Sequence, residues 1–253
     1  MIGAIFVYLQ CMTLTALTII FCFAMMASFT QRVTGFGSGI MIMTVLPHLF
    51  PSLGEATALS GMLSAFTSCL PAISMRKHLP LRKFLPIMLT FLLVSYFAVD
   101  ILSGVEASAF KHVLGGVLIA LSLYFFIFNS KIQAKPSFPL QIGLGTMSGV
   151  MGGLFAMQGP PAVVYFMASS DSRDEYMAMT QWYFFAGNLM LTLFRFKEGF
   201  ITPAVGESFL VALPAVFLGI SIGAKVYNHI KVDTLRRIIY AFLALAGVVA
   251  LVS

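Results

Sequence analysis

Charge is scarce in this chain, and acid scarcer still. Nine Asp and Glu stand among 253 residues, and all charged residues together make up 9%. A soluble domain carries about 25% and depends on them to stay dissolved. With 59% hydrophobic residues and a mean hydropathy of +0.96, no single core could hide the apolar surface, so lipid must be the solvent. The three cysteines, Cys11, Cys22 and Cys69, lie inside apolar segments, with no CxxC pair and no nearby histidine at ligand spacing. They read as packing residues. The longest polar connection is about a dozen residues, too short for a soluble domain. The N-terminus is apolar from Ile2 without a basic n-region, so no cleaved signal peptide is expected. Walker A and HExxH patterns are missing, and the run around Ser38 is no GxSxG elbow because Phe36 holds its first glycine position. No acidic residue falls in the middle of a long apolar segment, which leaves a side-chain proton relay without candidates. The net charge of +6 comes in short basic runs between apolar stretches, the mark of cytoplasmic loops rather than of a nucleic-acid surface.

What is present is a series of apolar segments, at roughly 2–30, 54–74, 84–103, 110–129, 139–157, 176–195, 208–228 and 235–252. Each is near the ~20 residues that a spanning helix needs. Gly35–His48 and Gly159–Ser170 are apolar but shorter, enough for about half of a ~30 Å hydrocarbon core. The order repeats: a long helix, a short glycine- or proline-led one, a polar loop with Glu55 or Glu175, then three long helices. Leu85-Pro86 and Leu213-Pro214 echo each other, as do Phe110-Lys111-His112-Val113 and Leu235-Arg236-Arg237-Ile238. The fold class expected is therefore all-α and polytopic, with eight long helices and two half-helices. The chain divides into a first repeat over 1–130 and a second over 139–253 within one membrane domain.

Charge orients the repeats. If each begins with a hairpin whose tip stops inside the membrane, three further spans invert the second repeat. With Arg76, Lys77, Arg82 and Lys83 in the cytoplasm, so are Lys131, Lys135, Arg173, Lys225, Lys231, Arg236 and Arg237, eleven of the fifteen basic residues. Lys111, Arg195 and Lys197 then face out, and Arg32 stays at the first tip. If the short helices lay on the surface instead, the split would be eight against seven. The positive-inside rule favours inverted repeats with both termini outside, in a plasma (inner) membrane.

Two half-helices then enter from opposite sides with N-termini at the tips. These are Thr34-Gly35-Phe36-Gly37-Ser38-Gly39 and Gln158-Gly159-Pro160-Pro161. Helix N-termini hold anions through free N–H groups, glycine permits close backbone approach, and proline suits a first turn. Arg32, beside the first tip, adds a guanidinium fork suited to oxyanions; snorkelling to an interface is its other reading. Gln181 and Asn188 share a similar face of one helix, as pocket lining or as helix–helix ties. Gly143, Gly145, Gly149, Gly152 and Gly153 read as packing positions. Trp182, Tyr183 and Tyr165 read as interfacial anchors, Asp100 as interfacial, and Glu55, His48 and Glu175 as hairpin mouths.

The segments VTGFGSGIMIMTVLP at 33–47 and GVMGGLFAMQGPPAVVYFM at 149–167, in the duplicated layout, resemble the TauE/SafE sulfite exporter family. The resemblance covers nearly the whole chain. It implies transport of sulfite, sulfonates or related acids, often outward. By motif it marks Gly35, Gly37, Gly39 and Pro47, and in the second half Gly153, Gly159 and Pro160. Ser38 departs from the family's usual triple glycine. The expectation is a secondary transporter, an exporter, with its anion at the midplane between the tips and alternating access by rocking of the repeats. An anion channel using the same tips is the alternative, and an intramembrane enzyme lacks catalytic partners. The partners expected are a small anionic substrate and the bilayer, with a homodimer left open; no nucleic acid, metal or cofactor is expected.

Overall fold

The computed structural model describes residues 13–102, 113–120, 123 and 137–226. Among these residues all regular structure is helical. In chain order the helices are α1 (Leu14–Thr34), α2 (Ser38–Met43), α3 (Leu46–Leu49), α4 (Leu53–Ser74), α5 (Leu81–Leu102), α6 (Phe138–Phe155), α7 (Gly159–Ser169), α8 (Arg173–Lys197) and α9 (Pro203–Val226). A single 3₁₀ turn, Arg76–His78, follows α4, and 113–120 is helical. The expected segments at 2–12 and 235–252, most of 110–129, and the basic loop positions 111, 131, 135, 231, 236 and 237 lie outside the described residues.

Among the described residues four helices, α1, α4, α5 and α9, are long and apolar enough to cross a membrane. On α5, Leu81, Leu85, Leu89, Leu93, Phe97 and Ile101 are exposed at four-residue intervals, one apolar stripe down the helix. Such a stripe is a liability in water and an ordinary lipid-facing surface in a bilayer. α8 is equally long but its polar residues are turned inward: Thr180, Gln181, Asn188 and Arg195 are all buried. Its counterpart is α4, the most buried of the four apolar helices. The α4–α8 pair forms the centre.

Local chemistry stops the helices where the sequence turns to glycine. α1 runs past the expected limit at residue 30, to Thr34, and ends on Gly35 at φ 87°, whose N–H donates to the Gln31 carbonyl (2.9 Å). Gly37, at φ 102°, then caps α2. Two left-handed residues in three positions would cost an L-residue roughly 1–2 kcal/mol each, which is the physical case for glycine here. The first short helix is broken: α2 ends at Met43 and α3 restarts at Leu46 with Pro47 in its first turn. α6 ends instead on Ala156 at φ 56°, with Ala156 N–H donating to Gly152 O and Met157 N–H to Met151 O, both 3.1 Å. This is a Schellman closure without glycine.

The remaining helices pair across the chain. α5 packs along α6 and α9 along α1, while α2 lies on α4 and α7 on α8. Small residues make these seams. A Cβ on Gly153 would fall 2.5 Å from Ala98 Cβ and 2.9 Å from Ser95 O, and one on Gly149 would fall 3.0 Å from Phe91 O. On the other seam, Gly219 lies against the Met25 carbonyl and Gly223 against Arg32 Cβ. At one end of the bundle Lys83 Nζ joins the 76–83 turn to the start of α8, donating to Asp171 Oδ2 and Glu175 Oε1 (both 2.7 Å) and Ser169 O (2.8 Å). At the other end Lys197 Nζ meets Tyr96 OH (2.7 Å) and Thr202 Oγ1 donates to Glu55 Oε1 (2.7 Å).

Candidate functional site

The two hairpin turns meet. Gly39, in the first turn of α2, presses on the carbonyl oxygen of Ala156, which closes α6. Around that contact lies a cavity of about 10 Å³, room for roughly one water, lined by Gln31, Gly37, Ser38, Gly39, Ile40, Ser64, Ala156, Met157, Gln158, Gly159, Phe184 and Asn188. Ser64 sits near the middle of α4, about 15 Å from either end at 1.5 Å per residue. Phe184 and Asn188 sit at the corresponding height of α8.

A buried hydrogen-bond relay fixes the first turn. Gln31 Nε2 donates to Ser68 Oγ (2.5 Å), its Oε1 accepts from Ser38 Oγ, and Ser38 Oγ lies 2.9 Å from Ser64 Oγ. Thr34 Oγ1, with one proton to give, lies within donating distance of Thr30 O (2.9 Å) and Phe36 O (2.7 Å), tying the turn to its own helix. Gln181 Nε2 donates to Gly35 O at 3.1 Å, which pins the turn to α8. In the second turn the Gln158 carbonyl accepts from Ser148 Oγ, which in turn accepts from Tyr183 OH (2.7 Å).

Of the residues marked from sequence, Gly37, Ser38, Gly39, Gln158, Gly159 and Asn188 line this cavity. Thr34, Gly35 and Gln181 support its first turn, and Pro160 follows Gly159 in the first turn of α7. Pro160 and Pro161 have no N–H, so α7 starts with two fewer free donors than an ordinary helix. Arg32 takes another direction. Its neighbour Gln31 turns toward the cavity, and Arg32, about 100° further round the helix, lines a second small space of about 10 Å³ with Gln31, Thr67, Pro71, Met177, Gln181 and Ile220.

The structure adds residues that the sequence reading placed elsewhere. Gln31, Ser64 and Ser68 had no distinguishing signal among the hydroxyls and amides of apolar segments. Tyr165 and Tyr183 are fully buried rather than interfacial: Gln141 Nε2 donates to Tyr165 OH at 2.6 Å, and Tyr183 OH is held by Ser148. Arg195 does not face outward with Lys197. It is 0% exposed, and its Nη2 donates to Gly152 O (2.8 Å) and Gly153 O (3.2 Å) at the end of α6. The cavity lining has no charged side chain, and no group of three or more metal-ligating residues occurs among the described residues.

Among the described residues, an all-helical bundle with an apolar outer stripe and buried hydroxyls and amides where two hairpin turns meet has the build of a membrane transport protein. The chain belongs to the sulfite exporter TauE/SafE family, which it matches over residues 20–250. It is also similar to a Cupriavidus necator protein named probable sulfite/organosulfonate exporter TauE, with 23% identity over 222 residues, 85% of this chain and 86% of that one. No solved structure matches it. Family relatives are exporters, not enzymes.

Proposed function

We propose that this protein is a secondary transporter that exports a small sulfur oxyanion, sulfite or an organosulfonate, bound in the cavity where the two hairpin turns meet. One observation carries the reading: two glycine-bearing turns from distant parts of the chain enclose a polar cavity at mid-height of the central helix pair. Serine hydroxyls, amides and helix starts can replace the water of an oxyanion there. The name of the Cupriavidus relative supplies the substrate class.

The two halves act as inverted repeats. In support, helix contacts exchange in pairs: α5 with α6 answers α9 with α1, and α2 with α4 answers α7 with α8. The Lys83–Glu175 and Lys197–Tyr96 contacts also put residues 83 and 175 at one end and 96 and 197 at the other. Burying Arg195 removes one basic residue from the outer side, so the charge asymmetry grows. Rocking one half against the other would open the cavity to each side in turn.

Counterflow is the decisive experiment. Proteoliposomes preloaded with unlabelled sulfite should accumulate external labelled sulfite transiently, and sulfoacetate should compete. A carrier shows this exchange, whereas a channel only dissipates the gradient. Uptake that neither saturates nor exchanges would reject the reading. Topology has its own test. In a cysteine-free background, single cysteines at Lys77 and Lys225 should resist an impermeant thiol reagent on intact cells, and one at Lys197 should react. Labelling of 77 together with 197 would defeat the inverted arrangement.

A further inference from the structure

Arg195 uses only part of its guanidinium. Nη2 closes the carbonyl end of α6, but Nε and Nη1 have no hydrogen-bond partner among the described residues. Nη1 packs against bare backbone: a Cβ on Gly61 would lie 2.9 Å from Arg195 Nη1, 3.6 Å from Thr192 Oγ1 and 3.9 Å from Asn188 Oδ1, so these polar atoms gather around Gly61. Asn188 is itself 1% exposed, and its Oδ1 has no donor among the described residues. It also lines the turn cavity, so it links the surroundings of Arg195 to that cavity. Gly61 stands one helical turn from Ser64, on the side of the bundle where Lys197 lies.

A buried cation without a counterion is costly, and such a charge within a membrane helix bundle calls for a partner. The ion pairs of Lys83 and Lys197 do not involve Arg195, and Glu55 accepts from Thr202 through Oε1. The turn cavity offers no charge of its own, and prolines strip donors from the start of α7. We propose that the unpaired Nη1 and Nε of Arg195, with Nη1 against Gly61, form an anion-binding station one turn from the cavity, and that it takes the oxyanion group of the transported substrate. The station rests on the reading of the protein as an anion carrier. Nη1 carries two N–H groups and Nε one, and charge-assisted bonds from an arginine suit the oxygens of a sulfite or sulfonate group. Asn188 Oδ1 is placed to accept from a protonated oxygen or an N–H of the same ligand. Because Nη2 holds the second hairpin turn, an anion drawn to Nη1 and Nε also bears on the position of that turn.

The test is sulfite binding to the purified full-length protein at fixed ionic strength, read by thermal stabilisation and calorimetry. Arg195→Gln should weaken sulfite at least tenfold, and Arg195→Lys should restore α6 closure and stability but recover affinity only in part. If Arg195→Gln does not fold, Gly61→Ala decides. Its methyl group covers Nη1, and the end of a flexible arginine can yield to it, so the fold should persist with affinity lowered several-fold. Lys197→Gln, which removes an exposed charge from the same helix end, should stay within twofold of wild type. Wild-type sulfite affinity in both Arg195→Gln and Gly61→Ala, or in Gly61→Ala alone where the glutamine variant is unfolded, overturns the station and leaves the carrier reading intact. A wild-type protein that binds neither sulfite nor sulfoacetate overturns the carrier reading itself.

Discussion

Gly39→Ala is expected to reduce sulfite counterflow at least a hundredfold while the protein still inserts and purifies. The added Cβ would overlap the Ala156 carbonyl oxygen, and that atom is backbone in a closed helix end, so it cannot rotate away. The two turns must separate, and a displacement of about 1 Å in a positioned site can cost a hundredfold in rate. Other glycines of the turns make a graded control. Gly37→Ala meets nothing nearer than Thr30 Cγ2 at 3.7 Å, so its penalty is the left-handed backbone, roughly 1–2 kcal/mol. Gly159→Ala meets the Phe184 ring at 3.1 Å, where a few tenths of an ångström of ring movement suffice. The expected order of damage is Gly39, then Gly37, then Gly159. Normal exchange by Gly39→Ala would mean that contact between the turns is irrelevant to transport.

Gly219→Val should act on the fold instead of the site. Its Cβ would run into the Met25 carbonyl and come within 3.0 Å of Phe29 N and Ser28 Cβ, all on α1. Valine adds two methyl groups beyond that Cβ, so α9 and α1 must part along their seam. Overpacking of this kind costs about 1–3 kcal/mol, and more where backbone meets backbone. The expected result is a large loss of monodisperse protein in detergent and a lower melting temperature in what survives. Gly206→Val, on the same helix with nothing within 4 Å of its Cβ, should be tolerated. Equal behaviour of the two variants would mean that the seam does not hold the bundle together.

The features legible in the sequence were those with a local cause. A helix of this hydropathy declares itself within a window, and the glycine and proline starts of α2 and α7 announce short helices because their backbone demands are local. The cavity residues found from sequence, such as Gly37, Ser38 and Gly159, belong to those same turns. Arg32 and Arg195 show where this reasoning stops. Proximity in sequence to a turn favoured Arg32, yet one residue of helical rotation sends it toward α9 while Gln31 takes the cavity. Arg195 reads as the first of two basic residues ending a helix, and nothing local separates it from exposed Lys197. Its burial depends on Gly61 and on the Gly152 and Gly153 carbonyls, far away in the chain. For the same reason Tyr165 and Tyr183, aromatic residues near helix ends, looked interfacial until their partners Gln141 and Ser148 were known.

The packing of α1 along α9 has a consequence for biogenesis. α1 leaves the ribosome before every other described helix, yet the helix it lies along, α9, is made only after α4 to α8. Throughout that interval the α1 face bearing Met25, Phe29 and Arg32 has no glycine groove to dock into. The nascent first half must therefore wait in the bilayer as an unfinished intermediate, exposed to membrane quality control. α5 waits more briefly, since α6 is the next of the paired helices to be synthesised. Long-range pairings of this kind slow assembly, because chain closure must precede the contacts that reward it.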